Sequence, residues 1–207
     1  QIIEDIKDFK LQGINAILSV SPYYNKPSQK GIYHHYEAIS KASPVPIILY
    51  NVPGRTASNI SSETTLKLAK DFKNIIGIKE ASGNFEQVMT IIKNKPPDFR
   101  VISGDDLLTL PLLAIGLDGV ISVTANAYPG YYSKIIKAAF ENDYNTAREI
   151  HYKIQEMVNL MFIEGSPSGI KTLMNILGFC TNKVRLPLVE LSEEISLKVR
   201  ELSRTLN

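Results

Sequence analysis

Five short runs along the chain are apolar almost throughout and do not alternate: residues 14–20, 46–50, 75–79, 100–103 and 119–124. Such runs suit strands covered on both faces of a parallel sheet. Between them apolar positions recur every three to four residues, which predicts helices at about 29–42, 62–72, 84–94, 106–116 and 130–141. Asn84-Phe85-Glu86-Gln87 predicts a capping box with Asn84 as its N-cap. Strand and helix in alternation mean an α/β fold with right-handed crossovers. Beyond residue 143 the strand signals stop. Helical patterns follow at roughly 143–163, 167–177 and 192–206, with a proline-bounded joint at Leu186-Pro187. At the front, Ile2, Ile3, Ile6 and Phe9 share one helical face, with Glu4, Asp5, Lys7 and Asp8 on the other. Nothing caps this helix and the chain starts at Gln1, so the sequence reads as cut at its front end.

Five βα units suit a small doubly wound sheet, whereas a closed barrel needs eight. The polar residues favour the barrel. Each informative one lies at or just after the C-terminal end of a strand: Tyr23 and Tyr24, then Tyr50 and Arg55, then Lys79, then Gly104-Asp105-Asp106, then Ser122 with Thr124-Ala125-Asn126. Barrel enzymes build their sites from that face. A doubly wound nucleotide fold commonly carries a glycine-rich phosphate loop, and none is found. The expected division is residues 1–141 as part of a (β/α)₈ barrel and 142–207 as a helical domain.

Composition narrows the function. The chain has 207 residues, 44% hydrophobic and 21% charged, which is ordinary for a globular protein. A net charge of +2 with scattered basic residues argues against nucleic acid and against an anionic membrane surface. The one cysteine, Cys180, excludes an internal disulfide, suits a reducing compartment and reads as a core thiol. No apolar run approaches a membrane span and no leader pattern is present, so the expected location is the cytoplasm.

Lys79 carries the strongest chemical signal. It ends the apolar run Ile75-Ile76-Gly77-Ile78. Burial there disfavours the charged amine, which is how a lysine becomes a nucleophile towards a carbonyl. Taken alone, the pattern favours a lysine that has left the strand and reaches solvent, and only its neighbours reverse that preference. Tyr50 is either a core tyrosine or a proton relay beside that amine. Arg55, in a turn made by Pro53 and Gly54, is either a surface ion-pair partner or a clamp for a carboxylate. Tyr23 and Tyr24 sit between two prolines, in a projecting loop suited to a subunit contact. Asp105 and Asp106 have no histidine neighbour, so no metal is expected there, and an N-cap for a helix near 106 is the favoured role. His34 and His35 face different directions on a helix and are poor joint ligands.

Five stretches together resemble the dihydrodipicolinate synthase family. They are Ser19-Val20-Ser21-Pro22-Tyr23-Tyr24-Asn25-Lys26-Pro27-Ser28-Gln29, Leu49-Tyr50-Asn51-Val52-Pro53-Gly54-Arg55-Thr56, Ile76-Gly77-Ile78-Lys79-Glu80-Ala81-Ser82-Gly83-Asn84, Ser103-Gly104-Asp105-Asp106 and Gly119-Val120-Ile121-Ser122-Val123-Thr124-Ala125-Asn126. They occur in order and the resemblance runs the length of the chain. It implies a (β/α)₈ barrel with a C-terminal helical domain, a homo-oligomer built as a dimer of dimers, and no cofactor. The implied reaction condenses pyruvate with L-aspartate 4-semialdehyde, on the route to diaminopimelate and lysine. By resemblance Lys79 forms the Schiff base, Tyr50 relays protons, and Tyr24 crosses a dimer interface to complete the neighbour's relay. Arg55 binds the carboxylate of the semialdehyde. The backbone of Ile121 faces the pyruvate-derived group, and Gly104 helps seat the substrate. The resemblance also implies three βα units ahead of residue 14, roughly 80 residues. That stretch would carry a Gly-Thr-Thr-Gly motif whose threonine joins the relay. Ser166, in Glu164-Gly165-Ser166-Pro167, stands where the family often has Asn and is a substrate-binding candidate.

N-acetylneuraminate lyase and the keto-deoxy-sugar aldolases share the fold and the lysine chemistry. Arg55 and the Lys79-Glu80-Ala81-Ser82-Gly83 run favour the synthase. A third reading is an inactive fragment, with the strands at 14–20 and 119–124 each lacking a partner.

Overall fold

The computed structural model describes residues 2–8, 11 and 13–206. The expectations placed on Gln1, on Phe9 and on the side chain of Asp8 lie outside the described residues. The chain divides into two units, one running to residue 105 and including 115–121, the other made of 106–114 and 122 onwards.

The first unit is a parallel sheet with its strands in chain order: β1 (Ile17–Val20), β2 (Ile47–Asn51), β3 (Ile75–Glu80), β4 (Arg100–Ser103) and β5 (Gly119–Val120). Helices α1 (Ile2–Asp8), α2 (Gln29–Ala42), α3 (Pro53–Thr56), α4 (Ser62–Asp71) and α5 (Phe85–Asn94) belong to it. The helix starts are sealed as their sequences dictate. Ser28 accepts from the Gly31 N–H, Ser61 from Thr64 and Asn84 from Gln87. One sheet face carries Ser19, Leu49, Ile78 and Val101, all buried, and α2, α4 and α5 bury Tyr36, Leu68, Val88 and Ile91 in the same core. The Tyr36 hydroxyl donates to the Ser19 carbonyl and ties α2 to β1. The alternate positions are more open: Leu18 is 44% exposed, and Val20, Ile48 and Ile102 are half-buried.

The second unit is helical: α6 (Thr109–Ala114), a 3₁₀ turn at Thr124–Asn126, then α7 (Pro129–Phe140), α8 (Tyr144–Leu160), α9 (Ser168–Ile176) and α10 (Glu193–Leu206). Its core includes Ile135, Ile154, Met157, Leu173 and Val199. Gly169 sits against the Met161 backbone, where a side chain has no room.

Several expected boundaries move, each for a local reason. β1 starts at Ile17, because the Ile14 N–H closes a turn onto the Leu11 carbonyl. β5 stops after Val120 instead of running to 124, because the N–H groups of Val123 and Thr124 donate to the Asp106 carboxylate. The helix expected near 106 begins at Thr109, and the Asp106 carboxylate accepts from the 3₁₀ turn. Only half of the capping box at Asn84 forms. The Asn84 N–H donates to the Ser82 hydroxyl, and the Gln87 side chain turns elsewhere. Cys180 is half-buried in irregular chain, not a core thiol.

Candidate active site

β2 and β3 begin in register at Ile47 and Ile75, then slip by one, so that Ile48 pairs with Gly77. Ile76 is the extra residue, and it sets the site. Unslipped pairing would set Tyr50 opposite Ile78, which faces the helices. The slip sets Tyr50 opposite Lys79, and Val20, Tyr50, Lys79 and Ile102 then form one row across the sheet. Gly77 allows the tight approach that follows, since a Cβ there would lie 2.7 Å from the Arg100 carbonyl oxygen.

Lys79 is 9% exposed, and its Nζ lies 4.3 Å from the centre of the Tyr50 ring. The reading of a lysine reaching freely into solvent therefore fails. Burial raises the Tyr50 phenol above its ordinary range, against the pull of the nearby Arg55 charge, so the hydroxyl keeps its proton through neutral pH. Gly104 packs against the stem of the lysine. A Cβ there would sit 3.0 Å from Lys79 Cε and 3.1 Å from Cγ. The Ile121 N–H donates to the Ser103 carbonyl, so what its backbone has to offer a ligand is the carbonyl. Arg55 is exposed on α3, whose start is fixed by Pro53 and whose end turns through Ala57 in the left-handed region at φ 53°.

Tyr24 is not gathered with these residues. It is 93% exposed, at φ 69°, in the loop between β1 and α2. Ser166 belongs to the second unit, in the turn before α9, half-buried and joined to Pro167 by a cis peptide bond. Among the described residues no group of three His, Cys, Asp or Glu side chains is placed to hold a metal ion.

Residues 3–205 match the model of the dihydrodipicolinate synthetase family. The chain belongs to that family. It is 52% identical to 4-hydroxy-tetrahydrodipicolinate synthase of Parabacteroides distasonis over 206 residues, which is all of this chain and 69% of the relative. Dihydrodipicolinate synthase of Aquifex aeolicus superposes with a TM-score of 0.95 at 41% identity, over 99% of this chain and 70% of that one. The Acinetobacter baumannii enzyme, solved in complex with pyruvate, gives 0.91 at 39%, over 98% and 69%. These neighbours are dihydrodipicolinate synthase barrels, so the five parallel βα units followed by a helical segment are part of a TIM barrel with its C-terminal helices.

In this family member the sequence reading missed the residues behind the lysine. Glu80 is 1% exposed. Its carboxylate accepts from the Asn51 amide at 3.1 Å on both oxygens, from the Ser82 N–H at 2.8 Å and from the Gln87 amide at 3.0 Å. Asn59 closes the group: it accepts from Asn51 at 2.8 Å and donates to Gln87 at 2.9 Å. The available signal was the alternation of β3, which sends Glu80 to the helix-covered face once Lys79 points the other way.

Proposed function

We propose that the protein is a 4-hydroxy-tetrahydrodipicolinate synthase, a lyase that condenses pyruvate with L-aspartate 4-semialdehyde. The observation that carries this is the buried Lys79 amine above the Tyr50 ring, at the strand end where barrel enzymes do their chemistry. The Lys79 amine adds to the pyruvate ketone and water leaves, forming an imine. Loss of a methyl proton gives an enamine, whose carbon attacks the semialdehyde aldehyde; the amino group of the condensed product then adds to the imine carbon, closing the ring as the Lys79 amine leaves. Tyr50 is poised to pass these protons, since its raised phenol remains a donor at neutral pH. Arg55 offers a planar guanidinium to the carboxylate of the second substrate. Gly104 leaves room beside the amine, and the Ile121 carbonyl faces the pyruvate-derived group.

The protein acts as a homo-oligomer, a dimer of dimers in which Tyr24 reaches a neighbouring site. The exposure of Tyr24 supports this, since it is 93% open to solvent among the described residues. The barrel portion spans residues 1–141 and the helical domain 142–207. The location is the cytoplasm. Among the described residues no helix is long and apolar enough to cross a membrane. The test is the substrate pair. The natural protein is expected to consume pyruvate only when the semialdehyde is present and to release none from N-acetylneuraminate. Pyruvate release from the sugar acid, without condensation, would transfer the chain to the lyase branch.

A further inference from the structure

Behind the row that holds Tyr50 and Lys79 runs a second row on the helix-covered face. It comprises Asn51, Glu80 and Ser103, all buried and all polar, and buried Ser21, just past β1, donates its N–H to the Tyr50 carbonyl beside it. Ordinary strand positions there would be apolar. Glu80 is the centre of this row, and Asn51, the Ser82 N–H and Gln87 each donate to it. A carboxylate is acceptor-only and suits that crowd of donors; an amide does not.

Those partners are spread over the elements that carry the site. Asn51 follows Tyr50, and Glu80 follows Lys79. Ser82 opens the loop after β3, and Gln87 belongs to α5. Asn51 also accepts from the Ile60 N–H at 2.9 Å, and its amide meets Asn59. The segment from Asn51 to Asn59, with Arg55 at its middle, is thus closed at its base by the Asn51–Asn59 bond, and Asn51 is in turn bound to Glu80. Only Asn59 of the group is exposed.

We propose that Glu80 is a positioning residue for the reaction: one buried carboxylate that sets Lys79 against Tyr50 and, through Asn51 and Asn59, holds the Arg55 segment in place. This rests on the reading of Lys79 as the Schiff-base lysine. It separates two effects. Loss of the carboxylate disturbs both the amine and the Arg55 segment. Loss of Asn59 loosens only the segment.

The test uses the natural protein and three variants: Glu80→Gln, Asn59→Ala and the exchange Glu80→Gln with Gln87→Glu. The readouts are the rate of borohydride-trapped imine at saturating pyruvate, KM for the semialdehyde, and the folded fraction at the assay temperature. Glu80→Gln is expected to slow trapping about ten- to a hundredfold, the scale of a small misplacement of reacting groups. Asn59→Ala is expected to leave trapping within about twofold while KM for the semialdehyde rises about tenfold. The exchange returns a carboxylate to the same cluster and is expected to recover most of the lost trapping rate. A wild-type protein that traps no pyruvate overturns the reading and this inference with it. Trapping by wild type with an equal rate in Glu80→Gln overturns the inference alone. So does a loss that merely follows the unfolded fraction and is not recovered by the exchange.

Discussion

At position 104 a methyl group would lie 2.8 Å from the Ala81 Cβ and 3.0 Å from the Lys79 Cε. The lysine stem can swing aside, but the Ala81 Cβ is fixed by its backbone. Gly104→Ala is therefore expected to fold while displacing the amine from Tyr50, lowering imine formation about tenfold or more. Single-turnover trapping measures this, and an unchanged rate would mean the lysine has slack. Arg55→Ala probes the other substrate. It is expected to keep pyruvate trapping and to lower kcat/KM for the semialdehyde about ten- to a hundredfold, the worth of one charge-assisted pair in the transition state. Unchanged semialdehyde kinetics would leave Arg55 a surface residue. Lys79 and Tyr50 were legible in the sequence because each ends an apolar run, where a polar side chain needs a reason. Glu80 was not, because its side-chain partners reach it only in the folded chain, Asn51 across the β2–β3 pairing and Gln87 from α5.

The strands were legible as elements because they are buried runs, and their ends were not, because competing backbone bonds decide them. The Asp106 carboxylate takes the N–H groups that would have extended β5 to Thr124. Another aspartate acts at the opposite end of the sheet. Asp118 accepts from the Val101 N–H at 2.8 Å and from Arg100 at 2.9 Å, with Lys95 at 3.7 Å. Burial opposes its charge, but the Val101 N–H, Arg100 and Lys95 together hold its carboxyl below the usual range. With the folded value below the unfolded one, the contribution is present above about pH 4 and is lost as pH falls through the folded value. Asp118→Asn is thus expected to cost about 1 kcal/mol at pH 7, since Arg100 is largely exposed and screened. The difference should shrink towards pH 2–3. Urea unfolding at both pH values measures it, and a gap that persists in acid would show that the charge is irrelevant.

Across the whole molecule, chain order and strand order coincide, so each βα connection of the first unit delivers its loop to the same edge of the sheet. Tyr50, Lys79, Gly104 and Ile121 reach that edge from four different strands or strand ends. The α/β alternation announced this arrangement, but not the single-residue slip between β2 and β3 that turns Tyr50 and Lys79 to the same side. That slip is a property of two strands meeting, and neither strand's sequence displays it. Every role assigned at this edge depends on Lys79 acting as the nucleophile. Its most direct test is the intact mass of the natural protein after pyruvate and borohydride, followed by peptide mapping. One pyruvate-derived adduct per chain is expected, on Lys79, with none in Lys79→Ala and condensation lost in that variant. An adduct on a different lysine, or condensation that survives Lys79→Ala, would contradict it.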